Sequence, residues 1–312
     1  KLKDAVTQAM NVNLVVTGGA GFIGSHLVEY LVKQGHSVIV IDNLHSGRIE
    51  NLSNVRNKIK FLQIDILDYD KLRSVVKNVD GVFHEAALTV VQESFTRQQE
   101  YYNVNVKGTE NIFKLAKEFG FKVVFASSSS VYGNTTMIPI KEDCERKPLN
   151  PYGNTKLEAE YLAEKYAKLG VHVIGLRYFN VYGKGQSSAY AGVIIKFIEN
   201  IANHKPPVIN GDGLQVRDFV FVDDIARANL MAMESKVDYA FINIGTGIAV
   251  SILDLANMII HSSGLTIKPI YHDALEGDIR TSQANISLAK KLLNWEPQTK
   301  LEEWLNEIVS KN

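Results

Sequence analysis

Short, nearly continuous apolar runs recur along the first half of the chain, at 12–17, 37–41, 59–64, 81–84, 122–126 and 171–176. Runs of this length, rich in β-branched residues, predict strands buried on both faces. Between them lie longer stretches with helical spacing of apolar positions, at 23–34, 69–77, 102–119 and 154–169. Strand, helix, strand in this rhythm predicts right-handed crossovers and an α/β fold built on a doubly wound parallel sheet.

Past Arg177 the rhythm changes. Helical patterns at 192–203, 222–234, 252–262 and 287–293 are separated by turns at 204–207 and 210–213. A smaller C-terminal α/β lobe is expected from 178–213 and 245–312, beside a first domain of 11–177. The apolar runs 219–222 and 241–244 are candidates to return to the large sheet, which gives the first domain returning segments near 214–244. A cleft between two lobes is where ligands usually sit.

Composition narrows the classes. Lys plus Arg and Asp plus Glu both number 34, so the formal net charge is zero. Nucleic acid and anionic membrane partners are therefore not expected, since both demand a basic excess. Phosphate binding would have to come from local devices. The one cysteine, Cys144, excludes an internal disulfide and a Cys-rich metal site, and points to a reducing, cytoplasmic setting. No apolar run reaches the length that spans a bilayer. The segment 1–10 is polar and mixed in charge, without the apolar stretch of a secretory signal.

The first strand runs straight into Thr17-Gly18-Gly19-Ala20-Gly21-Phe22-Ile23-Gly24. A tight turn there needs a residue without Cβ. A second glycine lets backbone approach a pyrophosphate, and a third packs the helix on the strand. The helix beginning near Phe22 points its amides and dipole at the same phosphates. Asp42 closes the next strand about twenty residues on. A carboxylate there accepts from adenosine ribose hydroxyls and repels a 2′-phosphate, so NAD is the expected cofactor rather than NADP. Asp65 and Ile66, after the third strand, are candidates to contact adenine.

The fifth strand leads into Ala126-Ser127-Ser128-Ser129-Ser130-Val131-Tyr132-Gly133, and Pro151-Tyr152-Gly153-Asn154-Thr155-Lys156 opens a helical pattern. Tyr and Lys four apart share a helix face, which brings the ammonium near the phenol. A free tyrosine, with a pKa of about 10, is a poor base at neutral pH. A nearby lysine and an oxidised nicotinamide ring both favour the phenolate. A serine hydroxyl at the end of the fifth strand can bond the same substrate oxygen.

With these motifs in order, the chain resembles the extended short-chain dehydrogenases/reductases, and within them the nucleotide-sugar 4-epimerases of the UDP-glucose 4-epimerase type. The resemblance runs from Val12 to the C-terminus. It is carried also by Asp42-Asn43, His84-Glu85-Ala86-Ala87, Asn105-Val106-Lys107-Gly108-Thr109, Arg177-Tyr178-Phe179-Asn180-Val181-Tyr182-Gly183 and Arg217-Asp218-Phe219. It implies a Rossmann fold, tightly held NAD and a homodimer made by a four-helix bundle of 102–119 and 154–169 with their symmetry mates. It implies that Tyr152 takes the sugar O4 proton while hydride leaves C4. The 4-keto intermediate then turns about its diphosphate linkage, and hydride returns to the other face. Ser128 matches the family serine on O4, with Ser129 and Ser130 as neighbouring candidates. Cofactor contacts are implied at Gly18, Gly21, Phe22, Ile23, Gly24, Asp42, Asn43, Asp65, Ile66, Ala86, Asn105, Tyr152, Lys156 and Tyr178. Substrate contacts are implied at Ser128, Ser129, Tyr152, Asn180, Arg217, Asp278 and Ser282.

Three departures bear on the substrate. Dehydratases and decarboxylases of the same scaffold carry an acid just before Val-Tyr-Gly, where this chain has Ser130, so epimerisation is expected. The family arginine two residues before Gly277 is replaced by Leu275; either Arg280 substitutes or the diphosphate loses a contact. Ser282, small where a tyrosine would restrict the pocket to UDP-glucose and UDP-galactose, predicts that UDP-N-acetylglucosamine and UDP-N-acetylgalactosamine are accepted too. Glu85 occupies a position that is usually apolar in the family. His84, at the end of the fourth strand, is expected to pack behind the cofactor, and the histidines have no metal spacing. The rival class is a non-catalytic NAD-binding sensor on the same fold; sensors tend to lose the Tyr-Lys pair, which is intact here.

Overall fold

The computed structural model describes residues 12–186 and 192–311. The expectations for 1–10, for position 11 and for 187–191 lie outside the described residues. Seven parallel strands form the central sheet: β1 (Asn13–Thr17), β2 (Ser37–Asp42), β3 (Ile59–Gln63), β4 (Gly81–His84), β5 (Lys122–Ser128), β6 (Val173–Tyr178) and, far on in sequence, β11 (Tyr239–Ile244). Their order, β11-β6-β5-β4-β1-β2-β3, reverses between β1 and β4. This is the doubly wound Rossmann arrangement, and its crevice opens where the order reverses, beyond the carboxyl ends of the strands.

Alternation along each strand feeds two cores. Leu14 and Val16 of β1 face one side with Leu27, Val28 and Leu31 of α1 (Phe22–Lys33); Val15 faces the other. That second side is covered by α2 (Tyr69–Val76), α5 (Gly108–Phe119) and α6 (Pro151–Lys168), through Leu72, Phe113, Ala163 and their neighbours. Before α5 come α3 (Val91–Thr96) and α4 (Gln98–Tyr102). The stretch expected as one helix over 102–119 is broken: a π turn, Asn103–Lys107, joins α4 to α5. Such turns interrupt the helical hydrogen-bond ladder without leaving a mark in apolar spacing.

The rest of the chain makes shorter pieces: β7 (Asn180–Tyr182), α7 (Val193–Ala202), β8 (Val208–Asn210), β9 (Val216–Arg217), β10 (Phe219–Phe221), α8 (Val222–Glu234), β12 (Val250–Ser251), α9 (Ile252–Ser263), β13 (Ile270–His272), α10 (Ser287–Leu293) and α11 (Leu301–Ser310). β11 returns to the large sheet beside β6. The run 219–222 does not, contrary to the sequence expectation. β10 instead pairs with β7 in a two-stranded parallel ribbon. α7, α9 and α11 pack around Phe197, Leu255 and Trp304 in a core of their own. α8, with α1, covers the first face of the large sheet. No helix among the described residues is long and apolar enough to cross a membrane.

Candidate active site

A cleft of about 1130 Å³ opens at the strand ends. Its floor is the glycine loop. Gly18 has φ +67°, and a Cβ on it would meet the Ala86 amide nitrogen at 2.7 Å, so backbone of the β4 end lies directly against the turn. The Gly18 amide donates to Ile41 at 2.8 Å and the Gly21 amide to Gly18 at 3.1 Å. These bonds leave a flat, Cβ-free surface at the start of α1, suited to a pyrophosphate. Gly18, Gly21, Phe22, Ile23 and Gly24 all line the cleft.

Asp42 stands at the far end of that floor. Its carboxylate accepts from the Ala20 amide at 3.0 Å and the Leu44 amide at 2.8 Å, and burial raises its pKa against the pull of those bonds. Each carboxylate oxygen has a second lone pair for a ribose hydroxyl. Asn43 donates to Asp65 at 3.3 Å, and both, with Ile66 and Ala86, line the cleft. Asn105 does not. It is buried behind the wall, where its amide holds Leu88 through both backbone groups and donates to Thr155 at 3.0 Å. It can act on a ligand only by shaping the 86–91 loop. His84 is likewise behind the wall, its ring nitrogens on the hydroxyls of Thr17 at 2.7 Å and Thr109 at 2.9 Å. Burial drives its pKa down to about 3, so it is neutral.

The second wall is built by the start of α6. Asn150 caps it, accepting from the Gly153 amide at 2.8 Å, and Pro151 sits at its first turn. Gly153 is required by close approach: a Cβ there would lie 2.9 Å from Pro148 and 3.0 Å from the Ser130 carbonyl. The first turn is thereby pressed onto the serine run, which places Tyr152 beside Ser128. Lys156 lies one turn on, its ammonium 5.8 Å from the Tyr152 ring centre and donating to the Ala126 carbonyl at 2.8 Å.

The electrostatics differ from the sequence expectation in one respect. Burial pushes the Tyr152 phenol up to about 12; the hydrogen bond from Ser128 opposes this and is the smaller effect. Burial also takes Lys156 down to about 8, against the carboxylates of Glu85 and Glu160. Without a ligand the phenol is therefore protonated, and lysine alone does not make it a base.

Ser128 Oγ accepts from the amide of Ser130 at 3.1 Å and from its hydroxyl at 2.8 Å, which leaves its own proton for Tyr152. Ser129, Ser130 and Tyr178 also line the cleft, as do Asn180, Arg217, Asp278 and Ser282 from the later part of the chain. Arg217, partly buried, is paired with Asp278 at 2.5 Å. Asp218, next to it, is wholly buried and accepts from Thr246, Gly247 and Ala284, fixing the backbone that carries Arg217 and Ser282. Arg280, the candidate to stand in for the arginine that Leu275 replaces, lies outside the cleft lining, half exposed, with both terminal nitrogens on Asp212. Leu275 does line the cleft. So does Lys196, an exposed cation in the first turn of α7 with no carboxylate partner among the described residues, which sequence reasoning did not single out.

Sequence reasoning also missed the support of this wall. Glu160, wholly buried on α6, accepts from Arg177 Nε at 2.9 Å and Nη2 at 2.8 Å, from Arg146 at 2.9 Å and from Ser127 at 2.6 Å. Arg177 also donates to Tyr132, which donates to Asn243 of β11. A charge inside an otherwise apolar strand demands a buried counter-charge, and Arg177 was that signal.

Known proteins place this geometry. The sequence pattern described as the NAD dependent epimerase/dehydratase family matches residues 14–245. The chain belongs to that family. Its cofactor is NAD, and the Cβ-free floor with Asp42 at its end fits that dinucleotide. A UDP-N-acetylglucosamine 4-epimerase from Methanobrevibacter ruminantium, solved with UDP-N-acetylmuramic acid, is 40% identical with a TM-score of 0.90, over 96% of this chain and 97% of that one. A putative UDP-glucose 4-epimerase of Methanocaldococcus jannaschii is 39% identical over 95% of this chain and 97% of its own. A UDP-N-acetyl-alpha-D-glucosaminuronate decarboxylase of Bacillus cytotoxicus is 35% identical over 96% and 97%. The chain is thus of the UDP-sugar 4-epimerase kind, in a neighbourhood that also includes a UDP-sugar decarboxylase.

Proposed function

We propose that the protein interconverts UDP-hexoses differing in configuration at C4, UDP-glucose with UDP-galactose and UDP-N-acetylglucosamine with UDP-N-acetylgalactosamine. The observation that carries this is the meeting, in one cleft, of the Tyr152–Lys156–Ser128 group with the NAD floor and with Asn180 and Arg217. Gly18, Gly21 and the first turn of α1 would hold the pyrophosphate, Asp42 the adenosine ribose. When bound, NAD would supply the hydride acceptor and donor at C4, and the positive charge of its ring would lower the phenol's pKa. Tyr152 takes the O4 proton and later gives it back. Ser128, with its proton free, bonds the same oxygen. Asn180 and Arg217 keep the diphosphate while the 4-keto sugar turns, a guanidinium fork being well shaped for phosphate.

Epimerisation is preferred to elimination or decarboxylation because position 130 is a serine whose hydroxyl is spent on Ser128. Acceptance of an acetamido group is inferred from Ser282, buried at the cleft wall and small. Residues 11–177, with segments near 214–244, would carry NAD; 178–213 and 245–312 would carry the nucleotide sugar. Tyr102 and Tyr161, both more than two-fifths exposed, support a homodimer through the helices 102–119 and 154–169. A sedimentation experiment tests that assembly. The reaction is tested by incubating the purified protein with a panel of UDP-sugars, without added NAD, and separating the products. C4 epimer pairs are expected; release of water or carbon dioxide in their place would overturn the assignment.

A further inference from the structure

Glu85 follows β4 and lies between the glycine floor and the wall that carries Ser128. Its backbone abuts the turn: a Cβ on Gly18 would stand 2.9 Å from the Glu85 carbonyl carbon, and the Glu85 amide donates to the Thr17 carbonyl at 3.1 Å. Its side chain reaches the other way. Oε1 accepts from the Tyr178 hydroxyl at 2.7 Å, and Tyr178 is the register partner of Ser128 across β5 and β6. Asn229 donates to the same hydroxyl at 2.8 Å and to the Ile225 carbonyl at 3.0 Å, which turns the tyrosine's own proton toward the carboxylate. Oε2 accepts from nothing among the described residues, and it is not sealed inside: it opens on the cleft that Glu85 lines. A carboxylate held away from water is costly without a donor or a positive charge beside it. Here three side chains, from the β4 end, β6 and α8, fix one with an oxygen left over on the cleft.

The oxidised nicotinamide ring is the positively charged part of NAD. With the adenosine ribose at Asp42 and the pyrophosphate on Gly18 and Gly21, the rest of the dinucleotide runs from the floor toward Tyr152 and Ser128. Glu85 and Tyr178 line that stretch. Resting on this orientation from the proposed function, we propose that Glu85 poises the cofactor: its open oxygen faces the nicotinamide end of NAD, and its charge favours the oxidised, positive ring over the reduced, neutral one. Tyr178 and Asn229 act through it, by aiming it. Glu160, the carboxylate on the other side of the serine run, is closed over by Arg177 and Arg146 and offers no free charge. A cofactor that must leave each cycle oxidised, as it entered, is thereby held in that form.

Glu85→Gln keeps the shape and an acceptor for Tyr178 but deletes the charge. Its effect is read at pH 8, above the value of about 7 to which burial raises Glu85. Protein stripped of nucleotide is titrated with NAD by calorimetry and with NADH by fluorescence. NAD should weaken by about tenfold and NADH hardly at all, as expected of one charge acting across a protein wall. Equivalently, the midpoint potential of the nucleotide bound in the holoenzyme should rise by about 30 mV, the same tenfold for a two-electron couple. Equal weakening of both nucleotides would make Glu85 a contact without electrostatic preference, and no change in either would place its open oxygen away from the ring. Both results overturn the proposal. If Glu85→Gln does not fold, Glu85→Leu, which leaves no amide to be satisfied, carries the same comparison with the same expected loss. Neither affinity involves a sugar. An unmoved NAD-to-NADH ratio beside intact epimerisation would sink this inference alone, whereas absence of C4 epimers from the UDP-sugar panel would sink the reaction and not the ratio.

Discussion

Lys156 stands 5.8 Å from the centre of the Tyr152 ring, close enough to act on the phenol yet bonded elsewhere, to the Ala126 carbonyl. The phenol's own hydrogen-bond partner is Ser128. This division of labour makes Tyr152 the group whose loss should be felt in chemistry rather than in binding.

Tyr152→Phe should retain bound NAD and lose turnover by about 10²–10⁴-fold, the usual contribution of a positioned acid–base group. Product chromatography gives the rate, and nucleotide released by heating gives the NAD content. Loss of NAD in parallel with rate would assign the residue to binding instead.

Asp42 holds its own loop through the amides of Ala20 and Leu44, and the proposed function gives it the adenosine ribose as well. Asp42→Ala should weaken NAD by roughly 10- to 100-fold, as expected for loss of charge-assisted hydrogen bonds. It should also reduce discrimination against NADP. Calorimetry with the two nucleotides on stripped protein measures both effects, and unchanged selectivity would contradict the role given to the carboxylate.

Ser282→Tyr should abolish conversion of the acetamido sugars and spare UDP-galactose. The comparison is of kcat/KM for the two substrates in each protein. Equal losses for both would mean that this wall does not face C2.

Arg177→Met should be among the most destabilising single changes in the chain, by about 3–5 kcal/mol, because it strands Glu160 in a dry site. Urea unfolding at pH 7 reads it. A loss under 1 kcal/mol would show that Arg146 and Ser127 suffice.

His84 gives a pH signature. Its folded pKa, about 3, lies far below the value of about 6.5 of a free histidine. The unfolded chain therefore takes up the proton first, so this group's contribution to stability is complete above pH 6.5 and is lost as pH falls toward 3. The slope is at most about 1.4 kcal/mol per pH unit. His84→Gln, whose amide can still serve Thr17 and Thr109, should flatten the fall between pH 6.5 and 4.5 in urea titrations; parallel curves would speak against a buried neutral ring.

The large sheet was legible because its strands are buried on both faces, so 81–84 could be bounded from its apolar run alone, while helical spacing bounded 222–234. Phe219–Phe221 was not, since three apolar residues look the same in a seven-stranded sheet and in a two-stranded ribbon. The glycine loop, Asp42 and the Tyr–Lys pair were readable because their chemistry depends on local spacing. The state of Tyr152 was not: burial by the surrounding walls outweighs a lysine four residues away. The sequence singled out Arg217 by its motif but left open whether Arg280 also reaches the cleft. Each is defined by a distant acid, Asp278 for one and Asp212 for the other, and only the first pair lies in the cleft. Glu160 looks like one more charge on a helix until Ser127, Arg146 and Arg177 close over it.

The run of serines after β5 resembles a store of interchangeable hydroxyls, and the backbone forbids that use of it. Successive side chains leave a strand on opposite sides. Ser127 faces inward to Glu160, Ser128 meets Tyr152, and Ser130, past the turn, is occupied in orienting Ser128. Neither Ser127 nor Ser130 is therefore a spare for a lost Ser128 hydroxyl. Repetition in the chain here encodes three unlike tasks.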